Sequence, residues 1–321
     1  MKSSVTSLAM ILAAIMAMAQ TTPVKTQDAS PSGQPQGQSG APSASPGNAQ
    51  APPSSGGNRV LQAKTQDELK AYQDASAKAD PTEMEAAADA FAAKYPNSEM
   101  KGTLYVRAMG LYGQANNGEK VIEAGRKAIA ADPTNPVPLV QVASALAEIT
   151  RDTDLDREQR LGEAAKDAQA AIDNINTGLV VPPKAPPEKI AAAKASILTM
   201  AYDTLGMVNM NKKDFAAAEQ ALLKAADTSK ANPEAVIYLR LSVAQDQLKQ
   251  YRQALDSANK AVQYAPQGST AQSLAKQQQA RVQKLIDAGS TSSPATPPAT
   301  PAPTKPPTQP TTQSQPATPP H

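Results

Sequence analysis

The chain is 321 residues long, with 31 basic and 29 acidic side chains for a formal charge of +2, no cysteine and a single histidine, His321. Without cysteine there is no disulfide, thiolate nucleophile or Cys-based zinc or iron–sulfur site, and one histidine in a proline-rich tail has no fixed geometry as base or metal ligand. Interspersed, nearly balanced charge gives no long-range field, so neither nucleic acid nor an anionic membrane is an expected partner.

In chain order, Lys2 precedes an apolar run from Leu8 through Ala19 that closes on Ala17-Met18-Ala19, the small-x-small pattern a signal peptidase reads. A run of about twelve residues is too short to span a bilayer, which needs about twenty. Residues 1–19 are therefore expected to be a cleaved signal peptide, leaving a periplasmic or secreted protein with no membrane insertion. No cysteine follows the run to carry a lipid. Residues 20–58 are Ser, Gly, Pro, Gln, Ala and Thr with almost no apolar side chain, and are expected to be a disordered linker. At the other end, residues 288–321 hold eleven prolines in Thr-Pro and Pro-Pro steps, which predicts a disordered tail of extended character.

Between the tails, residues 59–287 are rich in alanine, leucine, lysine, glutamine and glutamate, with no tryptophan and only Phe91 and Phe215 as phenylalanines. The predicted class is all-α, with a core made by closely approaching helices rather than large side chains. Leu69, Tyr72, Met84, Ala88 and Phe91 mark a pair of helices near 65–98. Tyr105, Ala108, Met109 and Tyr112, then Val121, Gly125 and Ala128, mark a second near 102–135, where Gly125 is a poor interior residue. A third, near 136–176, has Leu139, Val142, Ala143 and Leu146, a charged insertion between Arg151 and Arg160, then Ala164, Ala168 and Ala171. The run Val180-Val181-Pro182-Pro183-Lys184-Ala185-Pro186-Pro187 cannot be helical. It makes a joint over 177–188, either a hinge or a loop packed over the helices. The fourth pair, near 199–232, carries Tyr202, Leu205 and Gly206, a turn at Asn211 to Asp214, then Ala218, Leu222 and Ala225. The fifth, near 235–268, carries Tyr238, Leu241 and Ser242, then Ala254, Ala258, Ala261 and Pro266. A last helix, from about Ser269 to Ile286 with Leu274, Ala280 and Leu285 inward, is expected to cover the end of the stack.

An aromatic, a Leu-Gly step, a second helix with alanine and a larger apolar residue, then proline: this pattern resembles the tetratricopeptide repeat. Tyr95-Pro96-Asn97-Ser98 is similar to the ending of such repeats in exported bacterial envelope proteins. The resemblance implies an α-solenoid of about five helix-turn-helix units plus a capping helix, with first helices lining a concave face. It also implies groove positions at Val106, Val140, Ser144, Met200, Asp203, Met207, Met210, Val236, Leu239, Val243 and Asp246. Family members that clamp a terminal carboxylate carry Lys, Arg and Asn at such places, and none stands here. What remains is an apolar groove for a peptide or helix of another protein, with the methionines serving either that ligand or the packing between repeats.

Other motifs carry less. Asp152, Asp154, Asp156 and Glu163 have the spacing of a calcium loop, but Arg157 takes the place of its turning glycine. No phosphate loop or nucleophile motif is present, so no catalytic, cofactor or metal residues are assigned and an enzyme is not expected. The function expected is a protein-interaction scaffold; the alternative is a structural spacer or wall-associated protein acting through its Pro-rich tails.

Overall fold

The structure, a computed structural model, describes residues 58–291. The signal segment, the linker up to residue 57 and the tail from residue 292 lie outside the described residues. Among the described residues eleven helices follow one another: α1 (Gln66–Ser76), α2 (Pro81–Lys94), α3 (Lys101–Gln114), α4 (Gly118–Ala131), α5 (Pro136–Ile149), α6 (Arg157–Asp173), α7 (Pro187–Asn211), α8 (Phe215–Thr228), α9 (Ala235–Gln247), α10 (Tyr251–Tyr264) and α11 (Thr270–Thr291). They form five helical hairpins and a capping helix, an α-solenoid. No strand occurs among the described residues; a single parallel bridge joins Arg59 to Val180.

The helices begin where the side chains can cap them. Thr65, Asp80, Asn117, Asn135 and Asp214 each accept a hydrogen bond from an N–H of the first turn, which removes one unpaired donor per helix. Three hairpins share one turn. Asn116, Lys213 and Lys249 take the left-handed conformation (φ 55°, 62° and 60°). The following N–H groups, on Asn117, Asp214 and Gln250, donate back to the carbonyls of Tyr112, Asn209 and Gln245. A lysine also stands over a tyrosine ring at matching places in the same three units: Lys127 over Tyr105, Lys224 over Tyr202 and Lys260 over Tyr238, at 5.8, 5.5 and 6.0 Å. The third hairpin departs from both patterns. Its turn is lengthened through residues 150–156, and Leu139 and Ala170 stand at the places of the tyrosine and the lysine.

Curvature follows from which helices touch. Among the odd-numbered helices, α1 packs on α3, α5 on α7, α7 on α9 and α9 on α11; no such packing joins successive even-numbered helices, which only long side chains connect. The odd helices therefore occupy the inside of the bend. One of the outer links is a clasp between α2 and α4: Lys127 donates to Glu85 (2.8 Å) and Asp89 (3.0 Å), whose carboxylates also accept from Tyr112 (2.7 Å) and Tyr105 (2.8 Å).

The core is a seam of small residues. Ala88, Ala108, Ala143, Ala164, Ala218, Ala225, Ala254 and Ala258 are all completely buried. Where even alanine is too large, glycine stands: a Cβ on Gly125 would lie 2.2 Å from Val142 Cγ2, and one on Gly206 2.6 Å from Leu222 Cγ. Gly125 is thus a close crossing of α4 on α5, not a weak point of the second unit. The apolar interior divides into two clusters, one from Ala75 to Val208 and one from Ala218 to Ala244, and the division falls across α7 rather than at the proline loop. That loop is fastened. Leu179 and Val181 are buried in the first cluster, and Arg59 pairs with both through backbone bonds of 2.9 and 2.8 Å. The Arg59 side chain meanwhile holds Asp132 (2.8 Å) and Thr134 (3.1 Å).

The capping helix differs from expectation in length and in face. It continues to Thr291, and Ala275 and Val282 are its fully buried residues, whereas Leu274 is exposed. Ala280 is exposed as well and Leu285 is half-buried. The leucines misled because the helix crosses α9 and α10 through its smaller residues.

The two kinds of glycine make opposite predictions. Gly125→Ala forces a fully buried valine to move and should cost roughly 1–3 kcal/mol. Gly162→Ala, in α6 with nothing within 4 Å of the added carbon, should stabilise by about 0.5–1 kcal/mol. Urea unfolding followed by circular dichroism should shift in opposite directions for the two.

Candidate functional site

The groove positions expected from the sequence lie on α3, α5, α7 and α9, and the structure treats them differently. Val106 and Val140 are buried in the first apolar cluster and Ser144, within α5, is buried too, so these three offer no surface to a ligand. Met200 and Met207 are half-buried and pack on the first cluster, while Met210 packs on the second. Val236, Leu239 and Val243, along one side of α9, are half-buried and belong to neither cluster. The groove that α7 and α9 leave is therefore narrower than eleven positions would give, and its apolar part is carried by α9 with the methionines of α7 beside it.

The acidic positions are occupied. Asp203, nine-tenths buried on α7, forms an ion pair with Arg240 of α9 through Oδ2. Its Oδ1 is buried and has no hydrogen-bond partner. Asp246, buried near the end of α9, accepts from Gln278 (3.0 Å) and pairs with Arg281, both on α11. The capping helix thus lies along the end of the concave face and satisfies the last acid there with an arginine.

Three charged residues went unnoticed at the sequence level. Arg240 stands one place beyond the groove position Leu239, so the basic residue missing from the expected set is present in the adjacent register. Glu148, in the last turn of α5, and Glu234, which precedes α9, are close enough to Asp203 and Arg240 for both charges of that pair to act on them. Neither carboxylate makes a hydrogen bond or ion pair among the described residues. Both side chains reach solvent, but from within a concavity where surrounding protein displaces water. That loss of hydration raises the Glu148 carboxyl above the usual carboxylate range, with Arg240 opposing the rise and Asp203 adding to it. The Glu234 carboxyl is raised for the same reason, reinforced by Asp203 and opposed by Arg240. The only available signal was position: Arg240 is one residue, Glu234 two and Glu148 four from a predicted groove site.

The Asp152–Glu163 series does not converge. Asp154 accepts from the Arg151 N–H (2.9 Å), Asp152 meets Arg157 (3.2 Å), Asp156 meets Arg160 (2.8 Å) and Glu163 meets Arg126 (2.7 Å). Each carboxylate faces its own donor, and among the described residues no group of acids or histidines is arranged to hold a metal ion.

Comparison with known proteins agrees with the hairpin geometry. The family described as tetratricopeptide repeat matches residues 201–232 and 235–267, the α7–α8 and α9–α10 hairpins, and these two units are tetratricopeptide repeats. No curated protein matches the chain. Two solved structures are similar over 70% of it: the APC/C hetero-tetramer Cut9–Hcn1, at 15% identity and a TM-score of 0.33, and the assembly chaperone of RpL4 (Acl4, residues 1–338), at 11% and 0.36. The chain spans 44% of the former's matched chain and 99% of the latter's.

A carboxyl whose pKa is raised by folding costs stability while it is charged; that cost is present at neutral pH and fades as pH falls through the raised value toward 4.5. Glu148→Gln combined with Glu234→Gln should therefore raise the unfolding midpoint at pH 7. The gain should shrink when the same titration is repeated near pH 4.5.

Proposed function

We propose that this chain is a non-enzymatic interaction scaffold whose concave face binds a peptide or helical segment of another protein. The observation that carries the reading is the row Val236, Leu239 and Val243, apolar, half-buried and assigned to neither core, beside Met207 and Met210 on the neighbouring repeat. Flexible thioethers next to branched side chains suit an apolar segment of variable shape. The two repeats that match the tetratricopeptide family are the two that form this surface.

Peptides selected from a random display library on the full chain test it. Leu239→Asp together with Val243→Asp should abolish binding of most selected peptides while circular dichroism stays unchanged. Deleting residues 292–321 should leave binding intact. Binders indifferent to Leu239 and Val243 but lost with the tail would reject the groove.

Export to the periplasm or beyond is supported by the Leu8–Ala19 run and its Ala17-Met18-Ala19 ending. Intact-mass measurement of the secreted protein should then place its first residue at Gln20.

A further inference from the structure

We propose that residues 59–64 are a strap that makes the first three hairpins and the head of α7 open and close as one cooperative unit, while the last two hairpins form a second unit that opens on its own.

Before α1 the chain alternates as a strand does. Arg59, Leu61 and Ala63 are half-buried, the last two packed on the first apolar cluster, whereas Val60, Gln62 and Lys64 are exposed. This short segment meets three successive junctions between hairpins. At its head, the Arg59 N–H donates to Leu179 O (2.9 Å) and the Val181 N–H to Arg59 O (2.8 Å), in the loop between hairpins three and four. The Arg59 guanidinium holds Asp132 and Thr134, in the turn between hairpins two and three. At its foot, Lys64 Nζ donates to the Asn97 carbonyl (2.9 Å), in the turn between hairpins one and two, and the Lys64 N–H donates to the buried Glu68 (2.6 Å). Extended chain gains about 3.3 Å per residue, so residues 59–64 cross two helical layers of about 8–10 Å each.

In a stack of hairpins each unit touches only its neighbours, so opening can proceed from an end one hairpin at a time. A segment bonded to three junctions at once removes that freedom, because its release at one junction loosens the others. Two further observations fix the extent of the strapped unit. A Cβ on Gly178 would lie 1.8 Å from the Thr134 carbonyl oxygen, so the loop and the turn that Arg59 joins also lie directly on each other. The first apolar cluster covers the strapped hairpins, takes in Ala185 and Ile190 at the start of α7 and ends on that helix; the second begins on α8. Past α8 no strap recurs: among the described residues, the turns at 229–234 and 265–269 form hydrogen bonds and ion pairs only with the helices they connect.

Native-state hydrogen exchange on the full chain at low urea tests the strap. In the parent, the slowest amides of α2, α4 and α6 should share one opening free energy and one urea dependence, different from those of α8 and α10. Arg59→Pro removes both the guanidinium and the N–H bonded to Leu179, and circular dichroism should stay unchanged. Exchange at residues 178–187 and along α2 should then quicken about tenfold or more, α2 should open separately from α6, and α8 and α10 should change less than about twofold. Asp132→Asn, which removes only the charge that Arg59 meets, should give part of the same effect, and Gln62→Ala, on the exposed side of the strap, none. If Arg59→Pro does not fold, the comparison of α2 with α6 in Asp132→Asn decides. The strap is overturned if α2 and α6 open apart in the parent, if they still share one opening in the variant, or if all helices quicken equally.

Discussion

Everything in this molecule depends on how closely its helices approach. The seam between successive helices is alanine and glycine, and at Gly125 and Gly206 a single added carbon would overlap a buried neighbour. Small contacts bring helix axes together and leave thin layers, so each hairpin buries its apolar stripe only by leaning on the hairpins to either side. An array built this way has no central core. Because most successive odd-numbered helices pack on one another while even-numbered ones meet through long side chains, it also bends, and the bend supplies the concave face.

Charge is managed differently on the two sides of the bend. On the outside, long side chains bridge helices that do not touch, as Lys127 does between α4 and α2 and Arg126 between α4 and α6. These contacts are flexible and partly solvated, and the clasp at Glu85 is the most buried of them. On the inside, helices are close and water is scarce, so a carboxylate needs a partner held by the backbone next to it. Asp246 has one from α11, and Asp203 has half of one from Arg240. Glu148 and Glu234, both exposed, have none among the described residues.

Much of the fold was legible in the order of residues. Tyr202, Gly206, Ala218 and Leu222 recur as Tyr238, Ser242, Ala254 and Ala258 because each has a fixed partner within its own hairpin. Asn211 to Asp214 reads as a turn, and Lys213 indeed sits in the left-handed region there. The site was less legible. Arg240 is one step from a predicted groove position and was passed over, since a one-step shift on a helix turns a side chain by about 100° and only the neighbouring helix settles what it then faces. The face of α11 failed for a related reason: leucine is the stronger hydrophobic signal, yet the space against α9 admits alanine and valine.

The sequence by itself determined the all-α class, the number of hairpins and the small-residue seam, because periodicity acts within a few turns of chain. Only the tertiary structure decided that the proline loop is fastened to Arg59, that Val106 and Val140 are core rather than groove, and that Asp246 is taken by Arg281 and Asp203 by Arg240. Those outcomes join residues tens of positions apart on different repeats. Their distance is set by the curvature of the whole stack, which no local pattern encodes.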